Sequence, residues 1–222
     1  MMNVTSFLLF SSLEWFALII FALVMYRFEV RDHIGQIIFS SFLLSLVSYM
    51  LFNVLDLAAL ATIVQLVFVF LFFWLLFKIP VFFAGPIVIN GYLAAGVVQS
   101  SFYYFIQQFG VAVIQPATAP AFIMQTASSL ILLLIARLAV KFRLGFSFVQ
   151  QTEGKTKLSG TNLKLMLLTL LGYIVLAGMN FFATDHMLII IMAVTAAFIS
   201  MQYWALKKEY EAAFWHRNKE SF

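Results

Sequence analysis

Seven long apolar runs, separated by short polar or proline-bearing breaks, make up most of this chain. They cover about residues 6–26, 34–52, 57–77, 81–106, 121–140, 163–183 and 187–206. Each is close to the roughly 20 residues an α-helix needs to cross a hydrocarbon layer of about 30 Å. The breaks are RFEVRDH (27–33), the turn at Asn53 and Asp56, Lys78 with Pro80, QQFGVAVIQPATAP (107–120), VQQTEGKTKLSGTN (149–162) and TDH (184–186). The seventh run passes without Gly, Pro or turn chemistry into KKEYEAAFWHRNKESF. A single helix is therefore predicted to leave the bilayer and continue into water.

Composition fixes the class. Of 222 residues 64% are hydrophobic, 10% are charged and 27 are Phe, and mean hydropathy is +1.03. Soluble domains sit near 45–50% apolar and about 25% charged. The expected fold is an all-α integral membrane protein, a seven-transmembrane-helix bundle over residues 1–206 with a cytoplasmic amphipathic tail helix over 207–222. The first 26 residues lack a basic leader and a small-residue cleavage site, so they are read as a retained first span. No internal repeat is visible: Pro86 in the fourth run has no counterpart in the first, second, fifth or sixth.

Charge sets the expected orientation. Short cytoplasmic loops gather Lys and Arg. With seven spans and the N-terminus outside, all 13 basic residues fall on the cytoplasmic side: Arg27, Arg31, Lys78, Arg137, Lys141, Arg143, Lys155, Lys157, Lys164, Lys207, Lys208, Arg217 and Lys219. Adding or removing a span would scramble that segregation. The net charge of +4 is thus a topology signal of a multi-pass plasma-membrane protein, and nucleic acid is not an expected partner. Absence of Cys excludes disulfides, thiolate metal sites and cysteine nucleophiles.

Candidate chemistry is sparse. Glu14 is the one acidic residue well inside a span, and an intramembrane carboxylate marks a site by default because its desolvation is costly. Its structural alternative is a carboxyl that bonds helices together. Asp56, Asp185 and His186 make the outer face acidic and suited to an amine-bearing ligand, although Asp is also an ordinary turn residue. One His beside an Asp is too little for a metal, and no cofactor is expected. Gln65, Asn90, Gln99, Gln125, Asn180 and Gln202 are intramembrane amides that either line a cavity or bond helices; Asn90 and Gln99 join Glu14 as candidate ligand contacts. Ser41, Ser45 and Ser48 share one helix face, and Gly91 with Ala95 forms a small-xxx-small pair, both suited to close helix contact. Tyr103 and Tyr104 suit an interfacial belt. The seventh span has no Lys for a retinal Schiff base, and HExxH, GxSxG and phosphate-loop patterns are missing, so no enzyme is expected.

The tail carries an apolar stripe through Tyr203, Leu206, Tyr210, Ala213 and Phe214, with Lys207 and Glu211 spaced for an i,i+4 pair. That stripe suits a homodimer contact, a cytoplasmic signalling partner or the anionic inner leaflet. In organisation the chain resembles the membrane sensor region of accessory-gene-regulator-type, peptide-responsive bacterial histidine kinases. The resemblance rests on minimal outer loops, a Phe- and Leu-rich middle, and a last span running on into QYWALKKEYEAAF (202–214). It implies that the outer halves of the spans bind an apolar or peptide signal and that Tyr203, Leu206, Tyr210 and Phe214 relay it. No phosphoacceptor pattern surrounds His216 and these residues contain no ATP site, so kinase activity is not carried over. A small solute transporter centred on Glu14, Asn90 and Gln99, and a non-catalytic assembly subunit, are the competing expectations.

Overall fold

The structure, a computed structural model, describes residues 4–108, 118–151, 160–182 and 187–219. All regular secondary structure over these residues is helical, and seven helices are long and apolar enough to cross a membrane. The α-helices in chain order are α1 (Val4–Met25), α2 (Ile34–Tyr49), α3 (Ala58–Leu75), α4 (Val81–Gln108), α5 (Ala119–Lys141), the four-residue α6 (Phe148–Gln151), α7 (Thr161–Phe182) and α8 (Met187–Lys219), all but α6 being among the seven. Each of the seven expected runs forms one of these helices, with ends shifted by up to three residues except at α8, which continues past 206 to Lys219.

Two helices form the centre. α4 packs against α1, α3, α5, α7 and α8, while α1 packs against α2, α4 and α5. Over their most apolar stretches 72% of α4 and 56% of α1 is buried, against 17% for α7. Small residues let these helices approach. A Cβ placed on Gly91 of α4 would meet the Cβ of Ala22 in α1 at 2.9 Å, and one on Gly172 of α7 would meet Cγ2 of Ile89 in α4 at 2.5 Å. This is the close contact expected of the GYLAAG segment. Pro86 sits in the second turn of α4, where it removes one hydrogen bond near the start of the helix and leaves the rest intact.

Helix ends explain where the charges sit. Arg27, Lys78 and Arg143 follow the ends of α1, α3 and α5, and all three are left-handed, with φ of 56°, 55° and 54°. At α1 the Phe28 amide donates to the Leu23 carbonyl and the Arg27 amide to Val24; at α5 the Leu144 amide donates to Ala139 and the Arg143 amide to Val140. Both are Schellman ends, where Gly is the usual residue. A side chain there costs about 1–2 kcal/mol of backbone energy, offset in part by a cation beside the negative helix end. Asp56, which closes the stretch after α2 at the other end of the bundle, is the fourth such position, with φ of 52°.

At the basic end the chain after α5 turns back beneath the bundle. The Phe146 amide donates to the Met25 carbonyl at 2.8 Å, and Phe146, Phe148 and Val149 are buried. Tyr26, Phe146, Phe148 and Phe83 pack with ring centroids 5.4–6.1 Å apart. Gly145, at φ +130°, allows this return: a Cβ there would lie 2.9 Å from the Met25 carbonyl oxygen.

Candidate functional site

Glu14 lies on the inward face of α1, one residue before the buried Trp15. The side-chain amides of Gln99 in α4 and Gln125 in α5 donate to its carboxylate. These three residues line a cavity of about 330 Å³, within the roughly 300–1,000 Å³ common for small-molecule sites. α1 from Phe7 to Leu18, the end of α2, the starts of α3 and α5, α4 from Tyr92 to Gln99 and the end of α7 all contribute, so the cavity runs from the middle of the bundle toward the end away from Arg27, Lys78 and Arg143.

Its walls divide by chemistry. Phe7, Trp15, Leu18, Phe52, Met124, Leu176 and Met179 supply apolar surface. Phe52 is placed by a single π turn at the end of α2, Met50–Val54, in which the Leu55 amide reaches back to the Met50 carbonyl at 2.9 Å. Polar groups are mostly tied to one another. Ser48 accepts from Trp15 Nε1 at 3.1 Å and from Gln65 Nε2 at 2.9 Å, and donates to the Leu44 carbonyl at 2.9 Å. One hydroxyl thus joins α1, α2 and α3, with Ser12 donating to Ser45 alongside. Tyr92 differs: its ring meets Trp15 edge-on at 5.7 Å, and its buried hydroxyl has no hydrogen-bond partner among the described residues. A buried hydroxyl left unpaired costs about 1–3 kcal/mol, which a ligand group in the cavity would recover.

Of the six candidate ligand contacts, Glu14 and Gln99 are brought together. Asn90 is not part of the cavity wall. It lies deeper in α4, where its Oδ1 accepts from Gln202 of α8 at 2.5 Å and its Nδ2 faces the Tyr26 hydroxyl at 3.5 Å. Asp56 is exposed in the turn before α3 and does not line the cavity. Asp185 and His186 lie outside the described residues, as does the side chain of Asn180. Trp15 and Tyr92 were not singled out from sequence. Both read as ordinary apolar span residues, and only their place in the wall of the cavity that holds Glu14 gives them a role. Among the described residues no three His, Asp or Glu side chains are grouped to hold a metal.

The path from cavity to α8 is short. Gly96 of α4 lines the cavity, and a Cβ on it would meet Cγ1 of Val194 in α8 at 3.3 Å; about two turns earlier in α4, outside the cavity, Asn90 is bonded to Gln202 of α8. α8 runs unbroken for 33 residues, about 50 Å at 1.5 Å per residue, well beyond a hydrocarbon layer. Tyr203, Leu206, Tyr210 and Phe214 lie along it, 49–74% exposed. Glu211, expected to pair with Lys207, instead accepts from the Thr161 hydroxyl at 2.5 Å, and Lys207 lies over the Trp204 ring at 4.9 Å. Glu209 accepts from the Ser147 amide at 2.7 Å, the Ser147 hydroxyl at 2.5 Å and the Phe148 amide at 2.9 Å. The two glutamates fix the projecting part of α8 to the buried return and to the start of α7. Compared with protein-family models, curated proteins and solved structures, the chain matches none.

Proposed function

We propose that this chain is a plasma-membrane sensor module that binds a small apolar ligand bearing an amine, such as one end of a peptide signal, and reports its presence through α8. The carrying observation is the cavity around Glu14, which combines an intramembrane carboxylate, the unpaired Tyr92 hydroxyl and an aromatic wall at one end of the bundle. An ammonium group would neutralise Glu14 in a medium where an isolated charge is costly, and rest against Trp15. The segregation of basic residues supports an outer position for the cavity and a cytoplasmic position for the end of α8. The buried contacts of α4 with Val194 and Gln202 supply a route from one to the other. Any ligand that binds two bundle arrangements unequally shifts their balance, and α8 carries that shift to a second copy of the chain or a cytoplasmic partner.

Titration of the purified protein with phenethylamine, followed by tryptophan fluorescence, tests the site. A saturable change is expected in the parent protein and in Asp56→Ala, and its loss in Glu14→Ala. An equal response to 2-phenylethanol would remove the need for the amine. Uptake of labelled phenethylamine into proteoliposomes that Glu14→Ala abolishes would replace the sensor with a transporter; the aromatic packing of Phe146 and Phe148 beneath the bundle favours a site closed at its far end.

A further inference from the structure

A second cavity, about 520 Å³, opens at the basic end between the last turns of α1 and α5 and the turn at residues 27–31. Arg27, Arg31 and Arg143 line it, with Glu29 the one carboxylate, which leaves a formal excess of two positive charges. Its floor is apolar, formed by Val24 and Ala139. Val140 and Leu144 at its rim are 62% and 59% exposed, on the surface that a bilayer would cover. Arg27 uses one of its five donors on the Arg143 carbonyl, at 3.0 Å. Among the described residues no ion pair joins the three guanidinium groups to a carboxylate.

Two of these arginines occupy left-handed helix ends where Gly would be easier on the backbone. Placing Arg at both, over one apolar floor, concentrates fork-shaped phosphate-binding groups where the apolar stretches of α1 and α5 end. We infer that this groove is a binding site for an anionic phospholipid, its phosphate held by Arg27, Arg31 and Arg143 and an acyl chain laid along Val24, Ala139 and Val140. The occupant also bears on the buried return. Arg27 bonds Arg143, and the Arg27 carbonyl accepts from Gln150 at 2.8 Å, so a lipid clamping both arginines braces the segment that closes the bundle.

The detergent-solubilised full chain is melted with phosphatidylglycerol, phosphatidylcholine, phosphatidylethanolamine or inorganic phosphate. Phosphatidylglycerol is expected to raise the melting temperature saturably and the other three to leave it unchanged. Arg31→Gln with Arg143→Gly should weaken the phosphatidylglycerol response about fivefold for each arginine removed. The double variant should retain its melting temperature in detergent alone, since Gly relaxes the left-handed position. As a measurement independent of stability, a fluorophore on Val140→Cys in the otherwise Cys-free chain should be quenched by brominated phosphatidylglycerol more than by brominated phosphatidylcholine. Equal responses to anionic and zwitterionic lipids, or an undiminished phosphatidylglycerol response in the double variant, would overturn the assignment; a response to inorganic phosphate equal to that of the lipid would make it a phosphate site with no lipid specificity.

Discussion

Gly91 shows how much of the centre depends on one missing methyl group. Its neighbour is the Cβ of Ala22, an atom with no torsion to move it aside, at a separation of 2.9 Å from any added Cβ. Gly91→Ala therefore has to push α1 and α4 apart, and a loss of about 1–3 kcal/mol is expected, the usual cost of overpacking. Gly178 of α7 has nothing within 4 Å of an added Cβ. Gly178→Ala should be neutral or stabilising by up to about 1 kcal/mol through helix propensity. Reversible unfolding of the two variants side by side separates packing from propensity; equal effects would contradict the close approach. At this scale the sequence was informative about type more than partner. An intramembrane carboxylate and six amides were visible as groups that must be satisfied, and the structure sorts the five amides whose side chains it describes: Gln99 and Gln125 to Glu14, Gln65 to Ser48, Gln202 to Asn90. Tyr92 and Trp15 carried no signal, because an aromatic residue in an apolar run looks the same facing a cavity, a helix or lipid.

Helix α8 is long enough to act as a lever only if something holds it in register, and Glu209 is that fastening. Its carboxylate accepts three hydrogen bonds from Ser147 and Phe148, two of them from backbone amides at the start of α6. Replacing Glu209 with Ala leaves those donors without it, and the buried return should loosen by about 2 kcal/mol. Hydrogen exchange at residues 146–149 is expected to quicken about thirtyfold for that change, while amides in the middle of α1 stay protected. One Ala inserted after Leu206 turns everything beyond it by about 100°. It should quicken exchange at the same residues by separating Glu209 and Glu211 from their partners; unchanged protection in both variants would show that α8 is not coupled to the closed end. The existence and length of this helix were legible, since nothing in residues 187–219 breaks it. Its fastenings were not. Glu209 and Glu211 read as solvent-facing charges, because their partners Ser147, Phe148 and Thr161 lie 50 and more residues away, at the two edges of a polar loop.

For the molecule as a whole, the number and limits of the spans were readable because hydrocarbon demands long apolar helices and rejects unpaired backbone. The packing order was not. Between helices in lipid there is no hydrophobic contrast to mark a face, so the central positions of α1 and α4 emerge from their packing, with Ala22, Gly91 and Gly172 allowing the close approach. The charges at the helix ends bridge the two levels. Arg27, Lys78 and Arg143 mark one end of the bundle and Asp56 the other, each at a left-handed stop that fixes where its helix finishes. If the basic end faces the cytoplasm, single cysteines in the Cys-free chain report it directly. In intact cells Asp56→Cys is expected to react with a membrane-impermeant maleimide, and Lys78→Cys only after the cells are opened. The two positions flank α3, so they must lie on opposite sides of the membrane if it spans. Labelling of both from outside would remove α3 as a span. The reverse pattern would turn the bundle over and place the Glu14 cavity toward the cytoplasm, where an extracellular signal could not be its ligand.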